Sequence, residues 1–132
     1  RDLQRAALFL VDRKTDSLLL RVAEDLPQDG EIRIPIGSGI AGAVAQSGQA
    51  IRIDDAYSDS RFNPEVDHRS GFKTRSIMCL PILNRSGEVF AVSQLLNRND
   101  GQPFQQADEQ KFSEFIASIG VILENLEGLA AR

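Results

Sequence analysis

Two apolar runs, residues 75–84 (RSIMCLPILN) and 88–97 (EVFAVSQLLN), constrain this chain's fold more than any other stretch. Both are rich in residues that suit extended backbone, and only the turn Arg85-Ser86-Gly87 separates them, so they pair as an antiparallel hairpin. The first run is apolar from Ile77 to Leu83 with no polar position between. A strand of that kind is buried on both faces, so the sheet that contains it needs cover on both sides.

The remaining segments supply that sheet and its cover. Residues 5–12 (RAALFLVD) and 17–24 (SLLLRVAE) form a second hairpin across the polar turn RKTD, with Arg5, Ala7, Phe9 and Val11 on one face and Leu8 and Leu10 on the other. In residues 31–36 (EIRIPI), isoleucines alternate with Arg33 and Pro35, the pattern of a strand with one wet face. The period then changes: GSGIAGAVAQSG, residues 37–48, places small residues at Gly39, Ala41, Gly42, Ala43 and Ala45, predicting a short helix packed close to the sheet. A brief strand in AIRIDDA ends at Asp54 and Asp55, which are placed to cap a helical turn around residues 56–60. Residues 61–74 (RFNPEVDHRSGFKT) read as an irregular loop. From residue 107 to about 130, Phe112, Phe115, Ile116, Ile119, Ile122, Leu123, Leu126 and Leu129 recur at intervals of three and four, predicting a long amphipathic helix whose last turns extend beyond the core. Six mostly antiparallel strands with helices in the middle and at the end make an α+β domain.

At 132 residues the chain is one domain, large enough to bury a core and still enclose a small ligand. It begins almost inside its first strand, so the expected domain, residues 1–132, lacks a preceding helix. Fifteen Lys and Arg against 19 Asp and Glu, a net charge of −4, argue against a nucleic-acid surface. One cysteine excludes a disulfide framework and fits a reducing, cytoplasmic setting. Apolar stretches stay short of the roughly 18 residues a spanning helix needs, and the first residues lack a signal-peptide cleavage site.

Reactive residues are few. His68 and Cys79 are eleven apart with no acid placed to orient the histidine, and Cys79 lies mid-strand between Met78 and Leu80, the place of a small buried hydrophobe. Two potential Cys or His ligands fall short of a zinc site. Asp54-Asp55, Asp67 and Asp108-Glu109 precede or open helical turns, where acids serve as caps. The glycines of residues 37–48 match no dinucleotide or P-loop fingerprint, yet a Gly-rich entry to a helix exposes backbone N–H groups that favour an anion.

Three stretches together, residues 31–84, GEVFAVSQLLNR and PFQQADEQKF, resemble a GAF domain over nearly the whole chain. The resemblance is nearest to the cyclic-nucleotide-binding branch of phosphodiesterases and cyanobacterial adenylyl cyclases, whose signature appears here as Asn97-Arg98, Phe104 and Asp108-Glu109. Arginine stands where the family has lysine, which preserves a charge-assisted bond from the last strand to Asp108. That motif is then a structural clasp rather than a ligand contact.

The resemblance implies a six-stranded antiparallel sheet with the long C-terminal helix on one face. The ligand pocket lies on the other face, under the short helices, with residues 61–74 as a lid. It implies a cyclic phosphate held by backbone N–H groups at Ile40 and Ala41 and by the backbone near Asn63. Base and ribose contacts would come from Asp67, Ser70 and Thr74 on the lid, from Gln94, and from Ala23 and Glu24, with Arg5 and Ala7 completing the wall. The family often has a hydroxyl at the Ala7 position, an aromatic at Ala23 and an acid at Gln94. Loss of a stacking ring removes roughly 1 to 3 kcal/mol. Gln94 both donates and accepts, so it selects neither adenine nor guanine, and the cyclase-like character leans slightly to cAMP over cGMP.

The function implied is a regulatory, non-catalytic module that needs no cofactor or metal. It would signal to an attached output domain as a homodimer through its terminal helices. The alternative is a GAF dimerisation or sensor unit with another small ligand or none. Free-methionine-sulfoxide reduction, known among small GAF proteins, calls for several cysteines, and this chain has one.

Overall fold

The computed structural model describes residues 3–23 and 32–130. In chain order the elements are β1 (Leu3–Asp12), β2 (Ser17–Ala23), β3 (Arg33–Pro35), α1 (Gly39–Ser47), β4 (Ile51–Ile53), a 3-10 turn (Ala56–Ser58), α2 (Glu65–Ser70), β5 (Ile77–Leu83), β6 (Val89–Arg98) and α3 (Gln106–Ala130). The strands form one six-stranded sheet, ordered β3-β2-β1-β6-β5-β4. Every neighbouring pair is antiparallel.

The β5–β6 hairpin forms as its sequence dictates. Asn84 shapes the turn: its side-chain oxygen accepts from the Ser86 and Glu88 amides, and its own amide donates to the Glu88 carbonyl. Gly87 takes the left-handed conformation the reversal needs, φ 82°. Alternation along the strands then builds two cores. On one face Phe9, Leu18, Ile77, Cys79, Val89 and Val92 pack with Ile40, Ala41 and Val44 of α1. On the other, Met78, Leu80, Ile82, Ala91 and Leu95 pack with Phe104 and with Ile116 of α3. The continuous apolar run of β5 is thereby explained, since its successive residues serve opposite cores.

Two glycines set how closely the helices approach. A β-carbon on Gly42 of α1 would lie 2.7 Å from the Pro35 carbonyl oxygen and 3.1 Å from the Gly37 amide nitrogen, so α1 rests on the β3–α1 turn at backbone distance. On the opposite face, a β-carbon on Gly120 would lie 3.1 Å from Ile82 Cγ2.

Several expectations need correction. Residues 61–74 are not irregular throughout: residues 65–70 form α2, closed by Gly71 at φ 75°. Its six residues, EVDHRS, carry no apolar period to announce a helix. The apolar series on α3 does not face the sheet as one stripe. Ile116 is buried and Phe112 half-buried, whereas Phe115 and Ile122 are 62% and 59% exposed. At about 3.6 residues per turn, positions 115 and 122 share a side rotated away from 116. The side chains of Ile119, Leu123, Leu126 and Leu129 lie outside the described residues. Asp55 occupies the N-cap of the 3-10 turn without a capping bond to backbone, accepting instead from the Ser58 hydroxyl at 2.8 Å.

Candidate functional site

Strand register assembles the floor of the site. Ala23 pairs with Ala7, Ala7 with Gln94, Gln94 with Cys79, and Cys79 with Ile51. One row therefore crosses five strands, and Gln94 is its one strong hydrogen-bonding side chain. In the next row Arg5 pairs with Leu96 and Leu96 with Ile77. Ala7, Leu96, Ile77 and Cys79 all belong to the core beneath α1, which fixes the face. Arg5, Ala7, Gln94 and the backbone of Ala23 thus come together on the α1 side. Glu24 and the side chain of Ala23 lie outside the described residues.

Above this floor stands the N-terminus of α1. Ile40 and Ala41 are buried, 5% and 3% exposed, with their side chains in the core. Ser38 holds the N-cap with extended backbone, and its hydroxyl makes no capping bond. Helix geometry leaves the first-turn N–H groups without intrahelical partners, and here no N-cap side chain takes them up. Residues 59–63 arrive beside this helix end: a β-carbon on Gly39 would lie 3.8 Å from the Arg61 carbonyl oxygen. Arg61 itself grips Asp59 through Nε and Nη2 at 3.0 and 2.8 Å, which lowers the Asp59 carboxyl to about 2.

The residues expected on the lid behave differently from one another. Asp67 and Thr74 are buried and bonded together: Asp67 Oδ1 accepts from the Thr74 hydroxyl at 2.8 Å, and Oδ2 accepts from the Thr74 amide at 2.7 Å and the Tyr57 hydroxyl at 2.8 Å. The bond to Asp67 raises the Tyr57 phenol above its ordinary value. Ser70 and Asn63 are exposed, and their side chains accept from the Phe72 and Glu65 amides, shaping local turns. Sequence reasoning missed the aromatics that flank this cluster. The Arg5 guanidinium lies 4.1 Å from the Phe72 ring centroid, Tyr57 meets Phe62 at 5.2 Å, and the Lys73 ammonium stands 5.7 Å from the Tyr57 ring. The signal was three rings at positions 57, 62 and 72 bracketing a polar segment.

The Asn97-Arg98 motif sits at the end of β6. Arg98 Nη1 donates to Asp108 Oδ2 at 3.0 Å, and the same guanidinium pairs with Asp100, which raises its already high pKa further. Asp108 Oδ2 also accepts from the Gln105 amide at 2.7 Å and so caps α3. Glu109 pairs with Arg52 of β4 at 3.1 Å, and Phe104 is buried beneath, 2% exposed. A cavity of about 290 Å³ opens beside this clasp, lined by Arg98, Asp100, Phe104, Asp108, Lys111 and Phe112 among others.

The setting of Cys79 does not activate it as a nucleophile. Cys79 is buried, and desolvation pushes its thiol up to about 12. His68 is exposed on α2. Among the described residues, no group of three or more His, Cys, Asp or Glu is placed to hold a metal ion. Nor is any described helix long and apolar enough to cross a membrane.

Comparison with known proteins agrees with this architecture. The GAF domain family profile matches residues 2–123. The chain is 39% identical over 118 residues to a Drosophila melanogaster protein named dual 3',5'-cyclic-AMP and -GMP phosphodiesterase 11, covering 89% of this chain and 8% of that protein. It is 40% identical over 123 residues to the cGMP-specific 3',5'-cyclic phosphodiesterase of the same organism, covering 92% of this chain and 11% of that one. The chain thus spans about a tenth of the length of these relatives. Among solved structures, the GAF domain of a phosphoenolpyruvate-protein phosphotransferase from Coxiella burnetii superposes with a TM-score of 0.82 at 18% identity, covering 98% of this chain and 77% of that one. A free methionine-R-sulfoxide reductase from Thermoplasma acidophilum superposes with a TM-score of 0.70 at 15% identity, covering 90% of this chain and 77% of that one, which speaks to fold alone. On the family match and these relatives, the chain belongs to the GAF domain family.

Proposed function

We propose that this chain is a regulatory module that binds a cyclic nucleotide between α1 and the sheet and passes occupancy to an attached output domain through α3. The observation that carries the reading is the α1 N-terminus, uncapped by a side chain, standing over the sheet face that holds Gln94. A cyclic phosphate diester is a single anion with acceptor oxygens, and helix-end N–H groups with a favourable dipole suit it. Gln94 offers a base one donor and one acceptor edge. Relatives named for cyclic-AMP and -GMP hydrolysis support the ligand class. The module would act in the cytoplasm without a cofactor.

Which nucleotide binds is a matter of affinity ratio. The cyclase-like character leans to cAMP, and the phosphodiesterase names admit both. Calorimetric titration of the purified chain with each nucleotide decides: saturable heat with at least one is expected, and no heat and no thermal shift at millimolar concentration of either would refute binding. A lid that closes on the ligand supplies the free energy for signalling only through unequal affinity for open and closed states.

A second reading, a GAF dimerisation unit with another ligand or none, is favoured by Asp67 and Thr74 satisfying each other and by the exposed Phe115 and Ile122. Native mass spectrometry of gently purified protein separates the two, since a co-purified metabolite or an empty dimer would each have its own mass.

A further inference from the structure

We propose that Asn97 is a positioning residue that ties the hinge of the 61–74 segment to the first turns of α3. It lies near the end of β6, three residues past Gln94, is 1% exposed, and its side chain is fully used. Oδ1 accepts from the Arg75 amide at 2.7 Å and the Ser76 amide at 3.1 Å. Nδ2 donates to the Lys73 carbonyl at 2.9 Å and to Gln4 Oε1 at 3.1 Å. Its backbone amide donates to the Ser76 carbonyl at 2.9 Å. One residue therefore grips the backbone on both sides of Thr74, the buried threonine that Asp67 holds from α2.

The next residue binds a different element. The left-handed backbone at Asn97 interrupts the strict alternation of the strand, and while Asn97 holds the hinge, Arg98 holds Asp108 and with it the N-terminus of α3. Asn97 also adopts φ 55°, a left-handed conformation that asparagine tolerates far better than branched residues. The dipeptide is a rigid joint whose two sides are the lid hinge and an output helix. A shift of Thr74 moves the carbonyl and amides that Asn97 binds, and the adjacent Arg98 carries that shift to Asp108. This inference rests on the proposed function for its ligand, but the joint can be tested without one.

The test is hydrogen–deuterium exchange on the whole chain. Thr74→Val removes the hydroxyl bonded to Asp67 at nearly constant volume. It is expected to speed exchange several-fold in residues 65–74 and also in residues 109–113 of α3. In an Asn97→Gly background, where glycine accommodates the positive φ and all four side-chain bonds are lost, Thr74→Val should still speed residues 65–74 but add nothing in 109–113. Arg98→Gln leaves the buried asparagine in place and should likewise abolish the α3 response, so it decides the matter if Asn97→Gly fails to fold. A merely structural asparagine would give additive changes in both regions. The proposal is overturned if residues 109–113 ignore Thr74→Val in the otherwise native chain, or respond equally in either background. Failure of nucleotide binding, read separately by calorimetry, would strike the proposed function and leave this result standing.

Discussion

Gln94 and Cys79 are direct cross-strand partners on the face beneath α1, yet chemistry separates them. The cysteine is walled off: its thiol, ordinarily at 9.0, is pushed up to about 12 by burial. Because the folded value lies above the unfolded one, the stability linked to it is complete below pH 9 and fades as pH rises toward 12. Ellman's reagent at pH 8 should therefore modify Cys79 no faster than the chain unfolds, and rapid stoichiometric labelling would contradict its placement. Gln94, the hydrogen-bonding member of the row, should matter to ligand alone: Gln94→Leu is expected to weaken nucleotide binding about tenfold, the worth of one good hydrogen bond, with little change in Tm. Single residues were unevenly legible. Cys79 could be read as buried because its neighbours in the chain are apolar. Asp67 and Thr74 were expected as ligand contacts from the family resemblance, and their bond to each other shows only in the folded segment.

Among the elements, α1 depends on a missing side chain. With 2.7 Å between a β-carbon placed on Gly42 and the Pro35 carbonyl oxygen, Gly42→Ala must lift the helix from the β3–α1 turn. It should destabilise the domain by about 1–3 kcal/mol in urea denaturation, and a neutral result would refute the close approach. Within residues 61–74, the Asp67 carboxylate accepts three hydrogen bonds. Asp67→Ala should open residues 61–74 to limited proteolysis before global unfolding, whereas unchanged cleavage would mean these bonds do not hold the segment. The strands and α3 were visible in advance because long apolar periods leave few alternatives. The six residues of α2 were not, because so short a polar helix is held by its surroundings: Gly71 closes it and Asp67 anchors it to Thr74 and Tyr57.

For the molecule as a whole, the two faces of the sheet carry different features. The α1 face carries the candidate pocket, and the α3 face carries the Arg98–Asp108 clasp together with an outward apolar pair, Phe115 and Ile122. Seven residues apart, that pair has the spacing of a helix–helix seam. If the module dimerises there, Ile122→Glu should shift sedimentation from dimer to monomer without lowering Tm, and an unchanged dimer would place the seam elsewhere. The central claim is that a cyclic nucleotide sits between α1 and the Gln94 row, and amide chemical-shift titration tests it most directly. Adding cAMP or cGMP should shift the Gly39, Ile40 and Ala41 amides and the Gln94 side-chain amide saturably and together. No shifts at millimolar nucleotide, or shifts confined to the α3 face, would contradict it.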